Sequence, residues 1–267
     1  MLNFSLWALL PPIYSVCTAT GLWTVYFIAV YNKNITPLGS EYRFEFIYFI
    51  HFRYFFCCIS GFMLFICFRR RNGSLYPPYI SIAGNFPPAS CVFSEVMNLA
   101  AFVGFFIAVF RYLQLKGKID KPWLNISSLV VFSISSFGMT IVGNFQVFTE
   151  ENIHNIGTIM VFGLGTLFCW LQSYITLRVN LKNEGKMAAI ARFLLSGSIT
   201  LCMILYFSLM SQRLHMHASR CQWVLVMILL IFISTFAIEF RHSSFSILCT
   251  DRPGYPFHCS ETSEVPM

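Results

Sequence analysis

From about residue 91 to residue 240 the chain alternates between apolar runs of about twenty residues and short charged connectors, more apolar surface than a water-soluble core buries. A helix rises about 1.5 Å per residue and the hydrocarbon layer is about 30 Å thick, so roughly twenty apolar residues make one crossing. Five runs meet that length: about Cys91–Val109, Leu124–Phe148, Ile156–Leu177, Ile190–Met210 and Gln222–Phe240. A sixth, about Phe4–Val30, opens the chain and carries Pro11 and Pro12 near its start, where missing N–H groups cost least. A cleaved signal peptide is the rival reading of that run. It lacks the basic n-region, and its apolar stretch exceeds the usual length of about 7–15 residues. With 57% hydrophobic and 11% charged residues, the expected fold is an all-α integral membrane protein, a bundle of six transmembrane helices.

The segment 44–68 decides between six helices and seven. It is aromatic enough to span, yet Glu45, His51 and Arg53 leave only Tyr54–Phe68 free of charge, which is marginal for a crossing. Counting Lys and Arg by side prefers seven helices with an outer N-terminus. Both schemes orient everything after residue 91 identically. The basic connectors 111–123 and 178–192 face the cytosol, and the acidic connector with Glu150 and Glu151 faces outward. In the six-helix scheme residues 1–240 form the transmembrane domain, with an outer loop of about 31–90, and 241–267 form a cytosolic tail. The net charge of +7 then reports orientation and contact with anionic lipid, since the basic residues sit beside helix ends. Nucleic acid is not an expected partner.

The chemistry-bearing residue types form no enzyme signature. Cys17, Cys169 and Cys202 fall inside spans, no CxxC pair occurs, and Cys249 in the tail is at most an acylation candidate. His215 and His217 lack carboxylate company and read as loop histidines. Gly163 and Gly165 lie inside a span, so they open no nucleotide loop. No catalytic residue, metal site or cofactor is expected.

The polar residues that need a reason are Glu95 and Asn98, three apart on one helix face, with Asn144 and Gln146 at the outer end of the next span. Together with Glu150 and Glu151 they are candidates either for a cation-gathering mouth or for polar contacts between helices and interfacial snorkelling. Ala100, Gly104 and Ala108 recur every fourth residue, a pattern that lets helices approach closely. Asn34-Ile-Thr and Asn72-Gly-Ser are glycosylation candidates on the outer side, whereas Asn125-Ile-Ser lies at a cytosolic membrane edge.

The stretches PYISIAGNFPPASCVFS at 78–94, PWLNIS at 122–127, SFGMTIVGNFQ at 136–146, IHNIGT at 153–158, and WVLVM followed by FAIEFRH resemble the transmembrane protein 150 family, within the DRAM/Frag/Sfk superfamily. The GNFQ element and the PYIS loop are its most specific marks. The resemblance covers residues 1–40 and 77–242 and in detail is most like the C-type branch. It implies six helices, two cytosolic termini, and residence in the plasma membrane and endolysosomal membranes. The chain departs from the family at Glu41–Leu75, but Ser40 and Tyr76 join family-like sequence on both sides, so the resemblance implies a re-entrant, interfacial or variant-exon insert and not a seventh span. For function, the C-type detail implies a component of a mechanically activated, slowly inactivating, non-selective cation channel, calcium included, with other channel subunits or further copies of the chain as partners. The alternative implied by the wider family is a membrane adaptor without a pore, acting in phosphoinositide-kinase recruitment or autophagy.

Overall fold

Six helices, each long and apolar enough to cross a membrane, make up nearly all of the residues described by the computed structural model, namely 5–40, 75–179 and 185–245. After a 3-10 turn at Leu6–Leu9, α1 runs over Leu10–Tyr31 and a short α2 over Ile80–Ala83. α3 spans Ala89–Leu115 and α4 spans Pro122–Asn144. The fourth crossing is continuous but composite: α5 (Glu151–Ile159), a π turn at Met160–Leu164, then α6 (Gly165–Val179). α7 (Gly185–Ser211), α8 (His215–Ser234) and a final turn α9 (Ala237–Phe240) complete the bundle. The expected all-helical bundle therefore forms, with six spans among the described residues. Segment 44–68, Asn72 and Cys249 lie outside the described residues.

Helix ends follow local chemistry. Pro11 and Pro12 stand in the first turn of α1 and Pro122 opens α4, positions at which a backbone N–H has no intrahelical acceptor. Gly117, just past α3, takes φ +78°, the left-handed conformation that ends many helices. α3 extends past Arg111, and α7 begins before Arg192, so the connectors are shorter than the sequence suggests. The expected connector residues Arg111 and Arg192 are inside the bundle.

Consecutive spans run antiparallel and close into a ring: α1 packs on α3, α3 on α4, α4 on the α5–α6 crossing, α6 on α7, α7 on α8, and α8 back on α1. Outside the ring, residues such as Phe102, Phe137, Leu194 and Leu201 stand exposed, the surface a bilayer covers. Inside, Ala100 and Ala108 are buried, and a Cβ placed on Gly104 would lie 3.2 Å from the Tyr14 hydroxyl. The small-residue stripe thus faces α1 and α4 within one chain. At one end, here called the basic end, Lys116, Lys118, Lys121, Arg178 and Lys186 are exposed.

The opposite end is closed by a lid built from residues 34–40 and 76–86. Thr36 N–H donates to Tyr76 O (2.8 Å), and Leu38 N–H donates to the Tyr26 hydroxyl (2.8 Å). The PYIS segment is clamped by α8: Trp223 Nε1 donates to Pro78 O (3.0 Å), and Ile80 N–H donates to Gln222 Oε1 (2.9 Å). Trp223 also stacks on Trp23 at 4.5 Å. Replacing Trp223 by Phe keeps the ring but orphans the buried Pro78 carbonyl, a loss of about 1–2 kcal/mol. Faster amide exchange over 76–86, with α6 unchanged, is the expected result; equal exchange in both would remove Trp223 as the clamp.

Candidate functional site

Two polar assemblies stand out, one at each end of the ring. At the lid end, the Asn98 and Asn144 side-chain amides of α3 and α4 bond reciprocally, Nδ2 to Oδ1 at 3.1 and 3.0 Å. Ser94 Oγ also donates to Asn144 Oδ1 (2.6 Å), and Asn144 Nδ2 reaches Thr140 O (2.8 Å). Among the described residues, these are the two outer candidates whose side chains meet; Gln146 and Glu150 are joined through the backbone alone, Glu150 N–H donating to Gln146 O (3.0 Å). Glu95 and Glu150 are exposed, and Glu151 and Gln146 are half-buried in and before the first turn of α5. Asn34 is half-buried, its carbonyl accepting from Tyr76 N–H. Asn125 is buried with its amide on Tyr112 O (2.9 Å), which shields that sequon. Beside the lid, the Tyr79 hydroxyl lies 3.1 Å from His215 Nδ1, and burial together with Tyr206 pushes the phenol pKa up, which keeps it neutral.

The other assembly is ionic and lies inside the ring toward the basic end. Arg111 of α3 and Arg192 of α7 are 1% and 0% exposed, and between them sits Glu239 of α9, 6% exposed. Arg192 grips the Glu239 carboxylate with both Nη atoms, the longer contact being Nη2 to Oε2 at 2.7 Å. Arg111 Nη2 reaches Oε1 of the same carboxylate at 3.2 Å. A planar guanidinium matches a carboxylate in this two-pronged geometry, as an ammonium does not.

Every remaining guanidinium edge has a neutral acceptor. Arg111 Nε donates to Gln172 Oε1 (3.1 Å) and Nη1 to Gln114 Oε1 (2.7 Å). Thr176 Oγ1 accepts from Arg111 Nη2 (3.2 Å) and Arg192 Nη1 (2.6 Å) while donating to Gln172 O (2.7 Å). Arg192 Nε donates to Thr235 Oγ1 (2.9 Å). Gln172 Nε2 passes the network to Ser128 of α4 (2.7 Å), and Gln114 Nε2 passes it to Ser243 Oγ (2.6 Å). The Ser5 hydroxyl donates to Ser243 O (2.5 Å), which brings in the N-terminal segment. Beneath the pair, the Phe236 ring lies 4.6 Å from the Arg192 guanidinium carbon and 5.4 Å from that of Arg111. Two cations share one anion, so the cluster holds a net positive charge where the dielectric is low.

Hydropathy alone assigns Arg111 and Arg192 to the connectors, so the apolar runs do not reveal this cluster. A usable signal is present. Glu239 is an isolated acid closing an apolar run, and such a group needs a partner. Gln172 and Thr176 are four apart, and Arg111 and Gln114 three apart, each pair on one helix face. No group of three or more potential metal ligands occurs among the described residues.

The sequence model of the Frag1/DRAM/Sfk1/Cwh43p N-terminal domain matches residues 6–243, from the 3-10 turn to the serine that closes the ionic network. The chain belongs to the Frag1/DRAM/Sfk1 family. Among members of that family, the modulator of macroautophagy TMEM150B of Danio rerio is 31% identical over 248 residues, covering 93% of this chain and 91% of that protein. Transmembrane protein 150A of Mus musculus is 31% identical over 244 residues, covering 88% and 83%. The TMEM150B of Homo sapiens is 28% identical over 245 residues, covering 91% and 89%. No solved structure matches the chain. These Frag1/DRAM/Sfk1 relatives are of the A and B types, and the C-type detail rests on the sequence resemblance alone. This Frag1/DRAM/Sfk1 protein is a multi-pass membrane protein whose ring of helices contacts the bilayer.

Proposed function

We propose that the chain is a membrane adaptor that modulates macroautophagy and carries no ion path of its own. The observation that carries this reading is the state of the polar groups inside the ring. Arg111, Arg192 and Glu239 are saturated by one another and by Gln114, Gln172 and Thr176, and all six are at most 6% exposed. Groups that conduct ions exchange protein contacts for ions and water, whereas these hold helices together. Between the cluster and the lid the interior is walled mainly by apolar side chains, Phe132, Phe162 and Phe168 among them, and no carboxylate stands there to hold a cation. Relatives named as modulators of macroautophagy support the same reading.

In this reading the basic end faces the cytosol, as the gathering of Lys and Arg there favours, and recruits an acidic partner on plasma-membrane or endolysosomal surfaces. The test is complementation of cells lacking the protein. Autophagic flux should return with the wild-type chain and fall with Lys116→Gln/Lys118→Gln/Lys121→Gln, at equal membrane abundance. The same purified chain should pass no current in a tension-controlled bilayer. Unitary cation currents from the wild-type chain alone, lowered by neutralising Glu95, Glu150 and Glu151, would overturn the adaptor and restore the channel reading.

A further inference from the structure

Between the lid and the ionic cluster the ring lines a partly open cavity of about 110 Å³. Most of its wall is apolar, with Phe132, Met139 and Phe162 on one side. Six polar residues also line it: Ser135 and Thr158, whose hydroxyls donate to the Val161 and His154 carbonyls, Ser81, and the buried Tyr14 and Thr18 of α1 and Gln222 of α8. The Tyr14 and Thr18 hydroxyls take part in no hydrogen bond among the described residues, and Gln222 uses only its carbonyl, on Ile80 N–H. A hydroxyl withheld from water without a partner is costly. Any occupant that supplies one is favoured by that cost.

Tyr14 and Thr18 are four apart, so both face the cavity from the same side of α1. The space is therefore almost wholly apolar, with the Tyr14 and Thr18 hydroxyls forming a small polar spot in a wall of rings, thioethers and aliphatic groups. No charged side chain lines it, which disfavours an ionic occupant. Volume sets the size. A dry engineered cavity of about 150 Å³ accepts benzene, so about 110 Å³ suits a single small ring or a short alkyl chain and is too small for a sterol or a two-chain lipid. The wall also includes Val161 and Phe162 of the π turn, a local widening found frequently at functional sites.

We propose that this cavity is a binding site for one compact uncharged amphiphile, of the phenol or short-chain alkanol class, whose oxygen bonds Tyr14 and Thr18 while its apolar body packs on Phe132, Met139 and Phe162. Such molecules partition into bilayers and reach the ring from the lipid. This site is independent of the adaptor reading, since occupancy is measured without any autophagy assay.

The test uses the purified full chain in nanodiscs, a diazirine-bearing hexanol as photoprobe, and phenol as competitor. Modified peptides are read by mass spectrometry. Saturable labelling within 14–22 and 222–233, displaced by phenol, is expected. Tyr14→Phe should weaken it about fivefold, the worth of one hydrogen bond. Ala100→Leu, which adds a side chain into the space, should abolish it. If Ala100→Leu does not fold, phenol competition and Tyr14→Phe decide alone. Labelling confined to lipid-facing positions such as Phe102 and Phe137, or undiminished by phenol and by Tyr14→Phe, overturns the proposal.

Discussion

Glu239→Gln is expected to be the most damaging conservative substitution in the chain. It preserves shape but removes the single anion shared by Arg111 and Arg192, leaving two guanidiniums buried without a counter-charge. Breaking a buried ion pair from one side costs about 3–5 kcal/mol, a large part of the roughly 5–15 kcal/mol that holds a folded protein together. The damage should also be asymmetric. Arg192→Met removes the two-pronged partner and leaves Glu239 with one contact from Arg111. Arg111→Met leaves a neutral one-to-one pair and should be the mildest of the three. Melting temperature and monodispersity in detergent give the order. Arg111→Met as harmful as Glu239→Gln would show that charge balance is not what the cluster supplies.

Gly138→Leu is expected to cost at least about 3 kcal/mol, the upper range of overpacking. A Cβ at 138 would lie 2.6 Å from Met160 Cβ and 2.9 Å from Gly157 O, and a backbone oxygen has no rotamer by which to yield. Gly157 returns the constraint, its Cβ falling 3.0 Å from Gly138 O. The two glycines let α4 and α5 touch along their backbones. Gly197→Ala is the internal control, because nothing lies within 4 Å of its Cβ. It should be neutral or gain up to about 1 kcal/mol from helix propensity. Thermal melts of the two variants side by side decide the matter, and equal loss in both would mean that glycine flexibility, not close approach, is at stake.

The type and order of the six described spans are legible in the sequence because length and apolarity alone limit what crosses a bilayer. Span boundaries are less so. A run of hydropathy ends at the first charge, whereas α3 continues through Arg111 to Leu115 and α7 starts at Gly185, ahead of Arg192. A guanidinium can sit inside a helix bundle when a carboxylate from elsewhere neutralises it, and pairing between residues 192 and 239 is a tertiary fact that one-dimensional hydropathy does not carry. The Asn98–Asn144 pair was half visible: both residues were singled out as polar, but their mutual bonding depends on Gly143 pressing against Met97, 2.7 Å from a notional Cβ. The PYIS and GNFQ stretches that carry the family resemblance turn out to be lid and clasp: Pro78 and Ile80 are held by α8, Asn144 by α3.

The shared carboxylate also imposes an order on biosynthesis. The chain emerges from its N-terminus, so Arg111 and then Arg192 enter the membrane before Glu239 has been made. Among the described residues, no other acid lies within ion-pairing distance of either guanidinium. Until the last span arrives, a nascent chain holds two cations whose partner does not yet exist, and the ends of those helices around Arg111 and Arg192 cannot close into their final contact. Completion of the sixth crossing is thus what licenses the second and fifth crossings, α3 and α7, to lock, and a chain truncated ahead of residue 239 would stay open, presenting arginines inside the membrane as a mark of incompleteness.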